Sequence, residues 1–127
     1  MIKKLEAKDI VKIGKVDKPF PCEKGQYLQF LMSRLNDEQV IMLGNIENDI
    51  LRSYIIVFDN RQPPILDSMS VYDIWSDSHK ESIALADEIK KMCDKLIMMT
   101  PDDEKHNDKY MATFGCKKIA NVYEWIK

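Results

Sequence analysis

The spacing of apolar and polar residues changes period several times along the chain, and each change marks an element. Ile2–Leu5 has the length of a short first strand, and Ala7–Ile13 follows as a short helix that the Gly14 region ends. Pro19 and Pro21 make Lys18–Cys22 a loop, since proline cannot donate the backbone bond that a helix or central strand requires. Tyr27, Leu28, Leu31, Met32 and Leu35 recur at helical spacing, with Asn36-Asp37 closing that helix. The period then falls to two. Val40–Leu43 and Ser53–Phe58, rich in β-branched and aromatic residues, predict an antiparallel hairpin around a polar turn at Asn45–Asp49. Asp59–Pro64 is a second turn and Ile65–Trp75 a third strand, which completes a meander.

A helix capped by Asp77 or Ser78 comes next, with Ile83, Leu85, Ile89, Met92, Cys93 and Leu96 as its buried stripe. Leu96–Met99 is an apolar run of strand type. Thr100-Pro101-Asp102-Asp103 then opens another helix, with a cap, proline at the first position and acids in the positive first turn. It runs to about Phe114, where Gly115 supplies the left-handed stop, and Ile119–Ile126 is a final strand. The predicted order is β-α-α-β-β-β-α-β-α-β. The strand-helix-strand sequence before Met99 favours a parallel pair joined by a crossover helix. The fold class is therefore α/β (α+β): a mixed, mostly antiparallel sheet flanked by helices.

Composition narrows this picture without changing it. The 127 residues suit one domain, 45% of them are apolar and 31% charged, and only four are glycine, which excludes a disordered chain. A net charge of −2 gives no reason to expect a nucleic acid or an acidic membrane as partner. Lysines concentrate before residue 25, but Glu6, Asp9, Asp17 and Glu23 are interleaved with them, as on a solvated mixed-charge face. Cys22, Cys93 and Cys116 are odd in number and widely spaced, and neither a disulfide framework nor a zinc site follows. Charges in the opening decapeptide exclude a signal peptide, and no run approaches the roughly 18 apolar residues of a membrane span. The expected compartment is the cytoplasm. Most of the eight methionines fall on apolar faces and read as core.

The order of elements resembles the GNAT superfamily of N-acetyltransferases over nearly the whole chain. Tyr110–Lys118, YMATFGCKK, is similar to the end of that family's penultimate helix, and Ile2–Ile10 to its opening. The resemblance implies transfer of an acetyl group from acetyl-CoA directly to a primary amine, with no metal. It implies cofactor contacts along the third meander strand, at Met69, Val71 and Asp73, and at the following helix start, at His79, Lys80, Ser82 and Ala84. The family cradles the CoA pyrophosphate there with a glycine-containing loop, because phosphates approach the backbone closely. In this chain residues 75–85 contain no glycine, and the small residues Ser82 and Ala84 are what stand nearby. Asp77 and Glu81 bring like charge to an anion, and His79 and Lys80 offset part of it.

The family's proton donor to the leaving thiolate is a tyrosine on the next helix. With Gly115 aligned on the family glycine, Met111 takes that position and Tyr110 stands one residue earlier, about 100° around the helix. Asp67 is the candidate for taking the amine's proton through water. By period two, Asp67 and Asp73 share a strand face with Met69 and Val71; that face either lines the acyl cleft or meets solvent near its ends. Asp102 and His106 are i, i+4, but no second cluster completes a metal site. The family ends in two strands and this chain in one, so the exposed apolar edge at Ile119–Ile126 predicts a homodimer. The alternative to an active enzyme is a GNAT-shaped domain without catalysis, acting as a binding, assembly or regulatory module.

Overall fold

A computed structural model of the chain describes residues 1–20, 22–59, 61, 68–98, 112, 115, 116 and 125. Its elements are β1 (Ile2–Lys4), α1 (Ala7–Ile13), α2 (Lys24–Ser33), β2 (Val40–Glu47), β3 (Ile50–Asp59), β4 (Ser68–Ser76), α3 (His79–Lys90) and β5 (Lys95–Met98). The five strands form one sheet in the order β1-β2-β3-β4-β5. The first four are antiparallel neighbours, and β5 runs parallel to β4, as the crossover through α3 requires. This is the mixed, mostly antiparallel α/β architecture that the periodicity predicts. The helix and strand expected beyond residue 100 lie outside the described residues, as do Asp67 and Tyr110.

The sheet has two apolar faces because its central strand is apolar on both. Tyr54 and Ile56 of β3 look to one side, where they join Ile10 and Ile13 of α1 and Tyr27 and Leu31 of α2. Ile55 and Val57 look to the other, where they meet Met69 of β4 and Leu85 and Ile89 of α3. Helices on both faces explain why β3 reads as a continuous apolar run rather than an alternating one. Asp9, wholly buried on α1, accepts a bond from Glu6 N at 2.9 Å and lies 3.5 Å from Lys3 Nζ, which ties α1 to β1.

The hairpin is tighter than predicted. Its loop is only Asn48-Asp49, both in the left-handed region at φ 51° and 63°, so Asn45 to Glu47 belong to β2. Two positive φ angles in a two-residue loop match the twist of the strands, and Asn and Asp tolerate that region best. Two irregularities in the ladders matter for the site. Asn45 pairs with Ser53 but Ile46 with Leu51, so Arg52 is an extra residue on β3. Ile56 pairs with Asp73 but Val57 with Val71, so Tyr72 is an extra residue on β4. Each is a bulge that re-aims side chains.

Candidate active site

The bulge at Tyr72 corrects the period-two assignment of the strand face. Met69 and Val71 do face α3 together, but one added residue turns Asp73 to the opposite side, towards α1 and α2. Tyr72 projects to that side as well, where its ring lies 4.9 Å from that of Phe58 and 5.9 Å from that of Phe30.

Asp73 is the centre of a polar cluster set into an apolar layer. Its Oδ2 accepts from Tyr27 Oη of α2 at 2.6 Å and from Tyr54 Oη of β3 at 2.8 Å. Its Oδ1 receives Lys18 Nζ, from the connection between α1 and α2, and that ammonium also donates to Tyr54 Oη at 3.2 Å. Both tyrosines are buried. Burial first, and then the neighbouring Asp73 carboxylate, pushes both phenols far up from their ordinary value, so they remain protonated donors. The rings of Phe20 and Tyr27 pack 5.5 Å apart, and Tyr54 stacks on Trp75 at 6.2 Å. The result is a carboxylate among aromatic rings that accepts from two phenols and from one cation, the Lys18 ammonium.

The second feature lies three residues further along β4, roughly 10 Å by strand rise, on the α3 face. Ser76, Asp77, Ser78, His79 and Ser82 line a shallow, largely open cavity of about 210 Å³ at the start of α3. Ser78 is the N-cap and accepts from Glu81 N at 3.4 Å. The Ser76 hydroxyl donates to the Ser78 carbonyl at 2.7 Å and is in contact with the Ser82 hydroxyl. The cavity therefore opens at the positive end of a twelve-residue helix; Ser76 and Ser82 spend their protons on the Ser78 carbonyl and on Ser76 Oγ, and the Ser78 hydroxyl, which accepts from Glu81 N, keeps its own to donate to an anion.

The two acids at this junction are both answered from within. Arg52, the extra residue of β3, donates Nε to Asp77, while Asp77 N donates to Arg52 O at 3.0 Å. Glu81 turns to the sheet and accepts from Asn45 Nδ2 at 2.9 Å and from Ser53 Oγ at 3.2 Å. Their like charge is thus partly compensated before any ligand arrives.

Of the residues singled out by sequence, His79 and Ser82 line the cavity. Lys80 and Ala84 are exposed on α3, and neither lines it. The Met69 side chain is fully buried beneath α3, and Val71 packs beside it. Asp73 belongs instead to the tyrosine cluster on the other face. Asp67 and Tyr110 lie outside the described residues. The sequence reading missed Lys18, Tyr27, Tyr54 and Arg52. A tyrosine embedded in an apolar stripe asks for a partner for its hydroxyl, and that was the one signal for Tyr27 and Tyr54. Among the described residues no group of three metal-ligating side chains converges, and no helix is long and apolar enough to cross a membrane.

No family model matches this sequence, and no curated protein matches it significantly. Solved structures do. An aminoglycoside antibiotic 6'-N-acetyltransferase from Acinetobacter baumannii superposes with a TM-score of 0.79 at 10% identity, over 100% of this chain and 97% of that one. A ribosomal-protein-alanine N-acetyltransferase from Brucella melitensis biovar Abortus gives 0.72 at 16% identity, over 100% and 99%. AAC(6')-Iy in complex with the bisubstrate analog CoA-S-monomethyl-acetylneamine gives 0.75 at 11% identity, over 100% and 97%. Identities this low speak for architecture and not for chemistry. Meander, crossover helix and parallel fifth strand together are the GNAT fold, and this chain has it.

Proposed function

We propose that this chain is an N-acyltransferase that moves an acetyl group from acetyl-CoA directly to a primary amine. The observation that carries the reading is the pairing of two unlike features on one stretch of β4. A hydroxyl-lined cavity at the positive end of α3 suits the phosphates of CoA, and a carboxylate among aromatic rings on the opposite face suits an amine. Ser78 and His79, at the start of α3, are the residues that would hold the phosphates, and Arg52 reduces the charge of Asp77 beside them. Acetyl-CoA supplies the acyl group in activated form, as a thioester. In the transfer the bound ammonium first gives one proton to a base; the neutral amine then forms a C–N bond to the acyl carbon, the C–S bond breaks, and the second nitrogen proton goes to the leaving thiolate. Asp67 and Tyr110 stay the candidates that the resemblance implies for moving those protons. The free thiols of Cys22, Cys93 and Cys116 suit a reducing compartment, in keeping with action in the cytoplasm.

The decisive measurement is the thermal midpoint with acetyl-CoA and with CoA. Ligand at about 100 times its dissociation constant stabilises the folded state by roughly 2.7 kcal/mol, a plain upward shift. An unchanged midpoint at millimolar acetyl-CoA refutes the reading. A second reading has an observation of its own: two of the hydroxyls that line the cavity, Ser76 and Ser82, are bonded to each other at a junction without glycine. It makes the chain a GNAT-shaped binding or assembly module, and the same unchanged midpoint would support it.

A further inference from the structure

The Lys18–Asp73 pair is an odd structural staple. Both side chains are largely out of water, Lys18 at 16% exposure and Asp73 at 12%. A buried ion pair gives little net stability, because desolvating both charges offsets most of their attraction. The two partners are also unequally held. Asp73 is fixed by the β4 bulge and by hydrogen bonds from α2 and β3, whereas Lys18 reaches it from the connection between helices. The carboxylate and its two phenols are therefore preorganised without the lysine. The ammonium in turn lies 5.9 Å from the ring centre of Phe20 and 5.5 Å from that of Tyr54, within cation–π range. Carboxylate, hydroxyl and aromatic rings thus surround one alkylammonium, Tyr54 meeting it at the hydroxyl edge of its ring.

We propose that Asp73, Tyr27, Tyr54 and Phe20 form a binding site for a primary alkylammonium, which Lys18 fills in the unliganded protein and an incoming amine displaces. The site's catalytic meaning rests on the acyl-transfer reading; the binding of an ammonium does not. Tethering makes Lys18 a strong competitor, at an effective concentration on the order of millimolar. An acceptor that displaces it must add contacts of its own, which selects for amines on larger molecules over small free ones. Lys18 is thereby a plug that keeps the carboxylate compensated when no acceptor is present.

The test is chemical rescue. Lys18→Ala removes three carbons and the ammonium, the equivalent of n-propylammonium, and lowers the thermal midpoint by stranding Asp73. Titration with n-propylammonium chloride should restore that midpoint saturably. Tetramethylammonium chloride at equal ionic strength, which has no N–H to donate, should not. The double variant Lys18→Ala/Asp73→Asn should respond to neither. If the two salts act alike on Lys18→Ala, or if the response survives Asp73→Asn, the site is not an ammonium receptor and the proposal falls. Should Lys18→Ala not fold unaided, its refolding yield from urea is measured in the two salts. A yield higher in n-propylammonium supports the site, and equal yields overturn it. No CoA is present in any arm, so this outcome is independent of the acetyl-CoA measurement.

Discussion

Substituting Tyr27 by phenylalanine tests the polar cluster at one of its two buried tyrosines. The ring stays, so packing against Phe20 is kept and no cavity opens; only the hydroxyl that donates to Asp73 Oδ2 at 2.6 Å is lost. A hydrogen bond to a charged group contributes about 1.5–3 kcal/mol, against about 1 kcal/mol for a neutral pair. Tyr54 still donates to the same oxygen at 2.8 Å and Lys18 still reaches Oδ1, which argues for the lower half of that range. The expected loss is about 2 kcal/mol, or roughly 6–8 °C in Tm for a domain of this size. Urea unfolding followed by tryptophan fluorescence measures it, with the slope unchanged to certify that the unfolded state is the same. The same substitution made in an Asp73→Asn background should cost only about 1 kcal/mol, since the acceptor there is neutral. A loss below about 0.5 kcal/mol, or an equal loss in both backgrounds, would show that Asp73 draws nothing special from Tyr27. The account of a preorganised carboxylate would then be wrong.

Three further outcomes follow from other parts of the molecule. Gly44→Ala should destabilise: the new Cβ would stand 2.7 Å from Leu5 Cδ2 and 2.9 Å from the Ser53 backbone oxygen. Overpacking of about 1–3 kcal/mol outweighs the roughly 0.4–1 kcal/mol returned through the unfolded chain, and an equally stable variant in urea would contradict that. Ser78→Ala removes the cap of α3 and should cost about 0.5–1 kcal/mol, the low end because its bond to Glu81 N is long at 3.4 Å. The loss should show as faster amide exchange in the first turn of α3. Acid should weaken the fold through Glu23, Asp49 and Asp59. Backbone N–H groups of Gly25 and Gln26 hold Glu23 low, and Lys12 and Arg61 hold the two aspartates low. Folded values below the ordinary 4.5 and 3.8 mean that their contribution is complete above those values and disappears as pH falls through the folded ones. Carboxyl NMR of Lys12→Met should find Asp49 titrating closer to 3.8, and no change would contradict the pairing.

Much of the architecture was legible along the chain because its causes are local. Helix α1 begins and ends where the pattern and Gly14 put it, Ser78 caps α3, and the crossover makes β5 parallel to β4. These depend on backbone donors, caps and chain connectivity, which a residue's near neighbours decide. The site was less legible. Period two assigns Asp73 to the face of Met69 and Val71, and the sequence carries no mark of the extra residue that reverses it. Tyr72 is extra only because of how β4 registers against β3, with Phe30 and Phe58 gathered around its ring. In the same way Lys18 and Asp73 are 55 positions apart, and Arg52 and Asp77 are 25. By itself the sequence determined the elements up to Met98, their order and the parallel pairing across the crossover. Which face each polar side chain takes, and which distant charge it meets, was decided by the pairing of strands, since a single-residue shift in register turns a strand side chain to the other side of the sheet.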